Sequence, residues 1–244
     1  MNYDLYIAGI IGIAPALALM FWTLRDYTYP KVEKPFFNDV RVFLLLAIGM
    51  VIGVVMISVQ NLFDVSYIAS GIVFGLLFAI IWELVKLVFL NMPRLQKRLD
   101  TPFYGLALGL GIGAFMGFGA AALTFTSYSS SNLPVPADTY AVLIIIALQF
   151  VLLNGSTTTI IGVGVAKGQP FGYFSQAAMI HIGFKMLMVP FYARAEVDPL
   201  IGYAFMAVAT GFVIWYYYVV HARVLPELIR TELKKFARKT KASK

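Results

Sequence analysis

The chain has no cysteine, so disulfides, thiolate nucleophiles and cysteine-ligated metals are all excluded. Histidine is almost as scarce: two in 244 residues make a histidine-rich metal site a poor expectation, and no cofactor is expected. Charge is scarce too. Only 13% of the residues are Asp, Glu, Lys or Arg, where a soluble domain carries about 25%. What fills the chain instead is apolar, 60% of the total. The apolar residues come in long uninterrupted runs rather than in alternation, which argues for membrane helices over a β-barrel. The expected fold class is therefore all-α, a polytopic membrane helix bundle, with membrane lipid as its main surroundings.

Seven runs can be marked: Leu5–Leu24, Val42–Gln60, Tyr67–Leu90, Phe103–Thr126, Thr139–Ala166, Phe171–Tyr192 and Leu200–His221. Each is long enough to cross a hydrocarbon core of about 30 Å as a helix. The connectors are short and rich in Pro, Asn, Ser and Asp. The N-terminus, MNYDLYIAG, lacks the basic segment of a cleaved signal peptide, so the first run is read as a retained span. Of the nineteen Lys and Arg residues, sixteen fall in alternate connectors and the tail, on one side of a seven-span chain. The other side has only Arg194, and Lys86 and Lys185 lie within spans. The positive-inside rule then places the N-terminus outside and the C-terminus in the cytoplasm, in a protein expected in the plasma membrane. The net charge of +7 is thus mostly a topology signal, and no nucleic-acid partner is expected. Residues 1–222 read as the seven-helix transmembrane domain. Residues 223–244 read as a basic tail in which Leu225, Leu228, Ile229, Leu233 and Phe236 recur at helical spacing. Such a tail either binds anionic lipid or a cytosolic partner, or is a solvated end that fixes orientation.

The few polar groups inside the spans are the candidates for function, because a charge at the centre of a membrane helix costs roughly 2.5–3.5 kcal/mol on insertion scales. Glu83 and Lys86 share a helix face in the third span. Glu83 lies roughly 10 Å, and His181 roughly 15 Å, from the basic side. The fifth span carries Asn154-Gly155-Ser156-Thr157-Thr158-Thr159 at comparable depth. Glu83, Lys86 and His181 are candidate catalytic residues, and Asn154, Thr157 and Thr158 candidate binding residues. Each has a plainer alternative: an ion pair within one helix, a satisfied interhelical histidine, hydroxyls that hold helices together. Lys185 is expected to reach the outer interface, and His221, after Trp215-Tyr216-Tyr217-Tyr218, to lie at the inner one. Gly105, Gly109, Gly113 and Gly117 repeat every four residues in the fourth span, with Gly111 and Gly119 beside them, which lets neighbours approach closely.

Several of these motifs occur together in a known family. Pro15, then Arg25, Asp26, Tyr29, Pro30 and Pro35, then Trp82-Glu83-Leu84-Val85-Lys86, then Asp100-Thr101-Pro102 leading into the glycine-rich span, then Phe115, then His181, follow one another along the chain. This order resembles the PrsW family of intramembrane glutamate proteases, within a superfamily that includes the CAAX prenyl proteases and the scaffold subunit of gamma-secretase. The resemblance implies a glutamate base, Glu83, aided by Lys86 and His181, acting on a membrane-protein substrate. Two family carboxylates are replaced, one by Trp82 and one by Gly119. The resemblance therefore also accommodates a relative of weak or lost activity that binds or scaffolds membrane proteins. A small transporter or channel using Glu83 and His181 is a further alternative, although the halves show no internal repeat.

Overall fold

The computed structural model describes residues 4–28, 31–32 and 36–231. Tyr29, Pro30, Pro35, Leu233 and Phe236, named above, lie outside them. Seven long helices form the described chain: α1 Asp4–Leu24, α2 Asp39–Gln60, α3 Ile68–Leu90, α4 Thr101–Ser130, α5 Ala137–Lys167, α6 Pro170–Tyr192 and α7 Pro199–Val219. Six of them are long and apolar enough to cross a membrane. The remaining helix is α6, where Ser175, Gln176, His181 and Lys185 dilute the apolar content. The described chain is thus an all-helical, multi-pass membrane bundle.

Local chemistry explains the helix ends. Asn38 caps α2, its side chain accepting from the Arg41 N–H at 3.1 Å. Asp198 does the same for α7 through the Leu200 N–H at 2.8 Å, with Pro199 in the first turn. Pro102 and Pro170 open α4 and α6. Gly168 ends α5 with φ +73°, a left-handed conformation that glycine adopts without steric cost.

Two helices form the centre. About 67% of the α4 span and 72% of the α5 span is buried, against 33–39% for the other spans, so α4 and α5 carry the packing while the others face lipid on one side. The glycine repeat explains how α4 can be so enclosed. A Cβ on Gly105 would stand 2.6 Å from the Thr158 carbonyl oxygen, and one on Gly113 would stand 2.5 Å from that of Phe150. The i, i+4 face of α4 therefore lies against the α5 backbone. Gly111 and Gly119 turn the other way, onto Leu46 and Ile57 of α2. From the opposite side, Gly53 of α2 and Gly12 of α1 lie against the α4 backbone at Ile112 and Ala114. Dispersion and close backbone approach, rather than a water-driven hydrophobic effect, hold such an interface in lipid. On the far face of α5, α3, α6 and α7 complete the bundle, so α5 joins its two halves.

The basic tail is not wholly a solvated end. After α7 the chain makes one wider π-type turn over Val220–Val224 and then continues as a helix to Thr231. Pro226 accounts for the irregularity, since it cannot donate to the carbonyl of Ala222 and its ring crowds that oxygen. Leu225 and Ile229 are then buried in the cluster that includes Phe103, Leu110 and Val151. The apolar stripe of the described tail is covered by the bundle, so that part of it belongs to the helical domain. At the bundle end holding the α2–α3 connector, hydrogen bonds from Ser66 hold the Asp64 carboxyl below the usual carboxylate range.

Candidate functional site

One helical turn in α3, one residue in α5 and one in α6 meet in the interior. Glu83, Lys86 and Thr157 are fully buried, and His181 is 2% exposed. The Lys86 ammonium donates to Glu83 Oε1 at 2.6 Å and to Thr157 Oγ1 at 3.0 Å. His181 Nδ1 lies 2.6 Å from the same carboxylate oxygen. A carboxylate only accepts, so His181 donates from Nδ1, which fixes the ring's orientation. Glu83 Oε1 thus takes two donors, one from its own helix and one from α6. Lys86 in turn ties α3 to α5. The second carboxylate oxygen, Oε2, is buried without a partner among the described residues.

The helical rise explains why these residues coincide. Glu83 is seven residues from the end of α3, Thr157 ten from the end of α5, and His181 eleven from the start of α6. At about 1.5 Å per residue these are similar depths from the same end of the bundle. The rotation of about 100° per residue sorts the fifth-span polar run among its neighbours. Thr157 points to α3. Thr158 returns its hydroxyl to the Asn154 carbonyl at 2.6 Å and packs on Gly109 of α4. Asn154 donates to the Phe150 carbonyl at 2.9 Å, with Met116 of α4 at 3.8 Å. Of the three candidate binding residues, the structure brings Thr157 into the charged cluster and turns Asn154 and Thr158 onto α4.

Trp82 and Gly119 pack against apolar side chains. Trp82 stacks on Phe78, with centroids 5.6 Å apart and planes within 7°. At Gly119 even a Cβ would stand 2.8 Å from Ile57 Cγ2, so a larger side chain there requires the Ile57 side chain to shift.

Other polar groups join helices elsewhere. Gln149, unremarked in the sequence because it lies in a long apolar run, donates to the Met206 carbonyl at 3.1 Å and to Thr210 at 2.8 Å, joining α5 to α7. His221, just past the end of α7, is half-buried. It packs on the Tyr217 ring at 4.0 Å, donates to the Tyr217 carbonyl at 2.9 Å and lies 3.3 Å from Thr159. Lys185 reaches Gln60 at the end of α2, donating to Oε1 at 3.3 Å.

A cavity of about 360 Å³ opens beside Lys185, toward the bundle end that holds the α2–α3 and α6–α7 connectors. Phe78 lines it, but Glu83, Lys86 and His181 do not. Comparison with known proteins gives no match to any family model, curated protein or solved structure.

Proposed function

We propose that this chain is a non-catalytic, PrsW-like plasma-membrane protein that binds or scaffolds other membrane proteins, with its N-terminus outside and its C-terminus in the cytoplasm. The observation that carries the reading is the complete burial of Glu83, held by Lys86 and His181 and absent from the lining of the cavity. A general base must reach the proton it takes within about 2.6–3.2 Å, or through one water. Here the candidate base is fully buried and already accepts from Lys86 and His181. The cavity that Phe78 lines does not reach it. A charged cluster of this form serves to fix register among α3, α5 and α6, at little net gain in stability. The apolar filling at Trp82 and Gly119 supports the same reading, since nothing there substitutes for a second acid.

One observation favours the peptidase reading: the 2.6 Å contact between Glu83 and His181 is the geometry an acid–base pair needs. Thiol labelling separates the two, because the native chain has no cysteine. Thr157→Cys in lipid nanodiscs is treated with a charged, water-soluble maleimide, with Thr124→Cys in the cavity wall as the accessible control. A folded protein that labels at position 124 and not at 157 agrees with the non-catalytic reading. Labelling at 157 at a comparable rate, or hydrolysis of a transmembrane peptide that Glu83→Gln abolishes, refutes it.

A further inference from the structure

The cavity beside Lys185 lies between the end of α2, the start of α3, the second half of α4, the start of α5 and the end of α6. Its walls are mostly apolar. Phe63, Phe74 and Phe78 form one aromatic side, with centroid separations of 4.7, 5.3 and 6.3 Å. Two cations face it, Lys185 and Arg194, and among the described residues no Asp or Glu lines it. Lys185 is half-buried and its ammonium has the amide oxygen of Gln60 as partner. Arg194 sits at the rim with its guanidinium 5.1 Å above the Phe191 ring.

The carboxylates of the α2–α3 and α6–α7 connectors accept from backbone N–H groups. Asp64 accepts from the Ser66 N–H at 2.8 Å, Glu196 from the Ile68 N–H at 2.7 Å, and Asp198 from the Leu200 N–H at 2.8 Å. Among the described residues neither Lys185 nor Arg194 forms an ion pair. A cation held at membrane depth without a counter-ion is costly. An apolar cleft with a few convergent polar groups is the usual form of a small-ligand site.

We propose that this cavity binds a single-chain amphiphile with an anionic head, such as a long-chain fatty acid. The carboxylate lies between Lys185 and Arg194, and the chain runs along Phe63, Phe74 and Phe78. The volume suits one chain: about 360 Å³ is at the small end of the range for ligand pockets, and a second acyl tail would lie outside it. The site does not depend on whether Glu83 is catalytic.

Trp82 makes the test direct, because it stacks on Phe78 and so sits one ring behind the cavity wall. The protein has three tryptophans, and the other two, Trp22 and Trp215, are exposed to lipid. A Trp22→Phe/Trp215→Phe background in phosphatidylcholine nanodiscs leaves Trp82 as sole reporter. A chain-brominated fatty acid should quench it saturably. Its methyl ester, which has the chain without the charge, and inorganic phosphate, which has the charge without the chain, should neither quench nor compete. Lys185→Met should weaken binding by at least about tenfold, the worth of one charged hydrogen bond, and Lys185→Arg should retain most of it. Equal quenching by the ester shows partition into an apolar cleft and overturns the proposal. Displacement by phosphate alone assigns a free-anion site and overturns the role of the chain. Displacement by added phosphatidylglycerol assigns the site to a bilayer lipid and overturns the single-chain ligand. A Lys185→Met protein that keeps its unfolding temperature and full affinity overturns the role of the cation.

Discussion

Removing Lys86 should damage the bundle far more than removing Lys86 and Glu83 together. At 2.6 Å, two unit charges attract by about 6 kcal/mol at an effective dielectric constant of about 20. Each ion has lost several kcal/mol of hydration by burial, so the intact pair contributes little net stability. Lys86→Met removes the attraction but leaves the Glu83 carboxylate buried with only the His181 N–H. The expected loss is about 3–5 kcal/mol. Glu83→Gln leaves the ammonium facing a neutral amide, and the expected loss is of similar size or slightly smaller, because the amide oxygen still accepts. The Lys86→Met/Glu83→Gln double variant removes both charges and keeps an acceptor for His181. Its stability should return to within about 1–2 kcal/mol of the native protein, a coupling of more than about 2 kcal/mol. Unfolding by sodium dodecyl sulfate in mixed micelles, followed by tryptophan fluorescence, measures all four members of the cycle. Additive losses would show that the two groups do not sense one another, and the argument from a shared buried carboxylate would then be lost.

Two further results follow from the packing and the charge pattern. Gly113→Ala drives a methyl group to 2.5 Å from the Phe150 carbonyl and should cost about 1–3 kcal/mol despite the better helix propensity of alanine. Gly9→Ala in α1 meets nothing within 4 Å and should leave stability unchanged or raise it by up to about 1 kcal/mol, so thermal unfolding of the two variants should move oppositely. In intact cells, a cysteine replacing Ser131 in the α4–α5 connector should react with an impermeant maleimide, and one replacing Gln96 in the α3–α4 connector should react only after lysis; the reverse pattern inverts the proposed topology.

Much of the bundle was legible in the chain before any coordinates. The seven apolar runs coincide with the seven helices to within a few residues at most ends, because a span must satisfy its backbone internally and so declares itself by length and composition. Depth was legible for the same reason: a constant rise per residue placed Glu83, His181 and the fifth-span run at a common level. The glycine ladder declared a close approach, though not to which helix. Direction was not legible. Within α5, Thr157 and Thr158 are neighbours in sequence and share chemistry, yet one meets Lys86 and the other Gly109.

By itself the sequence determined a membrane bundle, the helices that compose it, and which few polar residues sit within them. Hydropathy and rise per residue are local properties and need no neighbour to define them. The tertiary structure decided that Lys86 and His181 converge on one oxygen of Glu83, that Trp82 is buried against Phe78, and that the tail's Leu225 and Ile229 are covered. It also decided that Lys185 and Arg194 face a cavity without a carboxylate. These depend on helix rotation and on partners distant in the chain. Glu83 and Lys86 were an expensive pair of charges in the sequence; in the fold they are joined by His181 and Thr157 into a link between α3, α5 and α6.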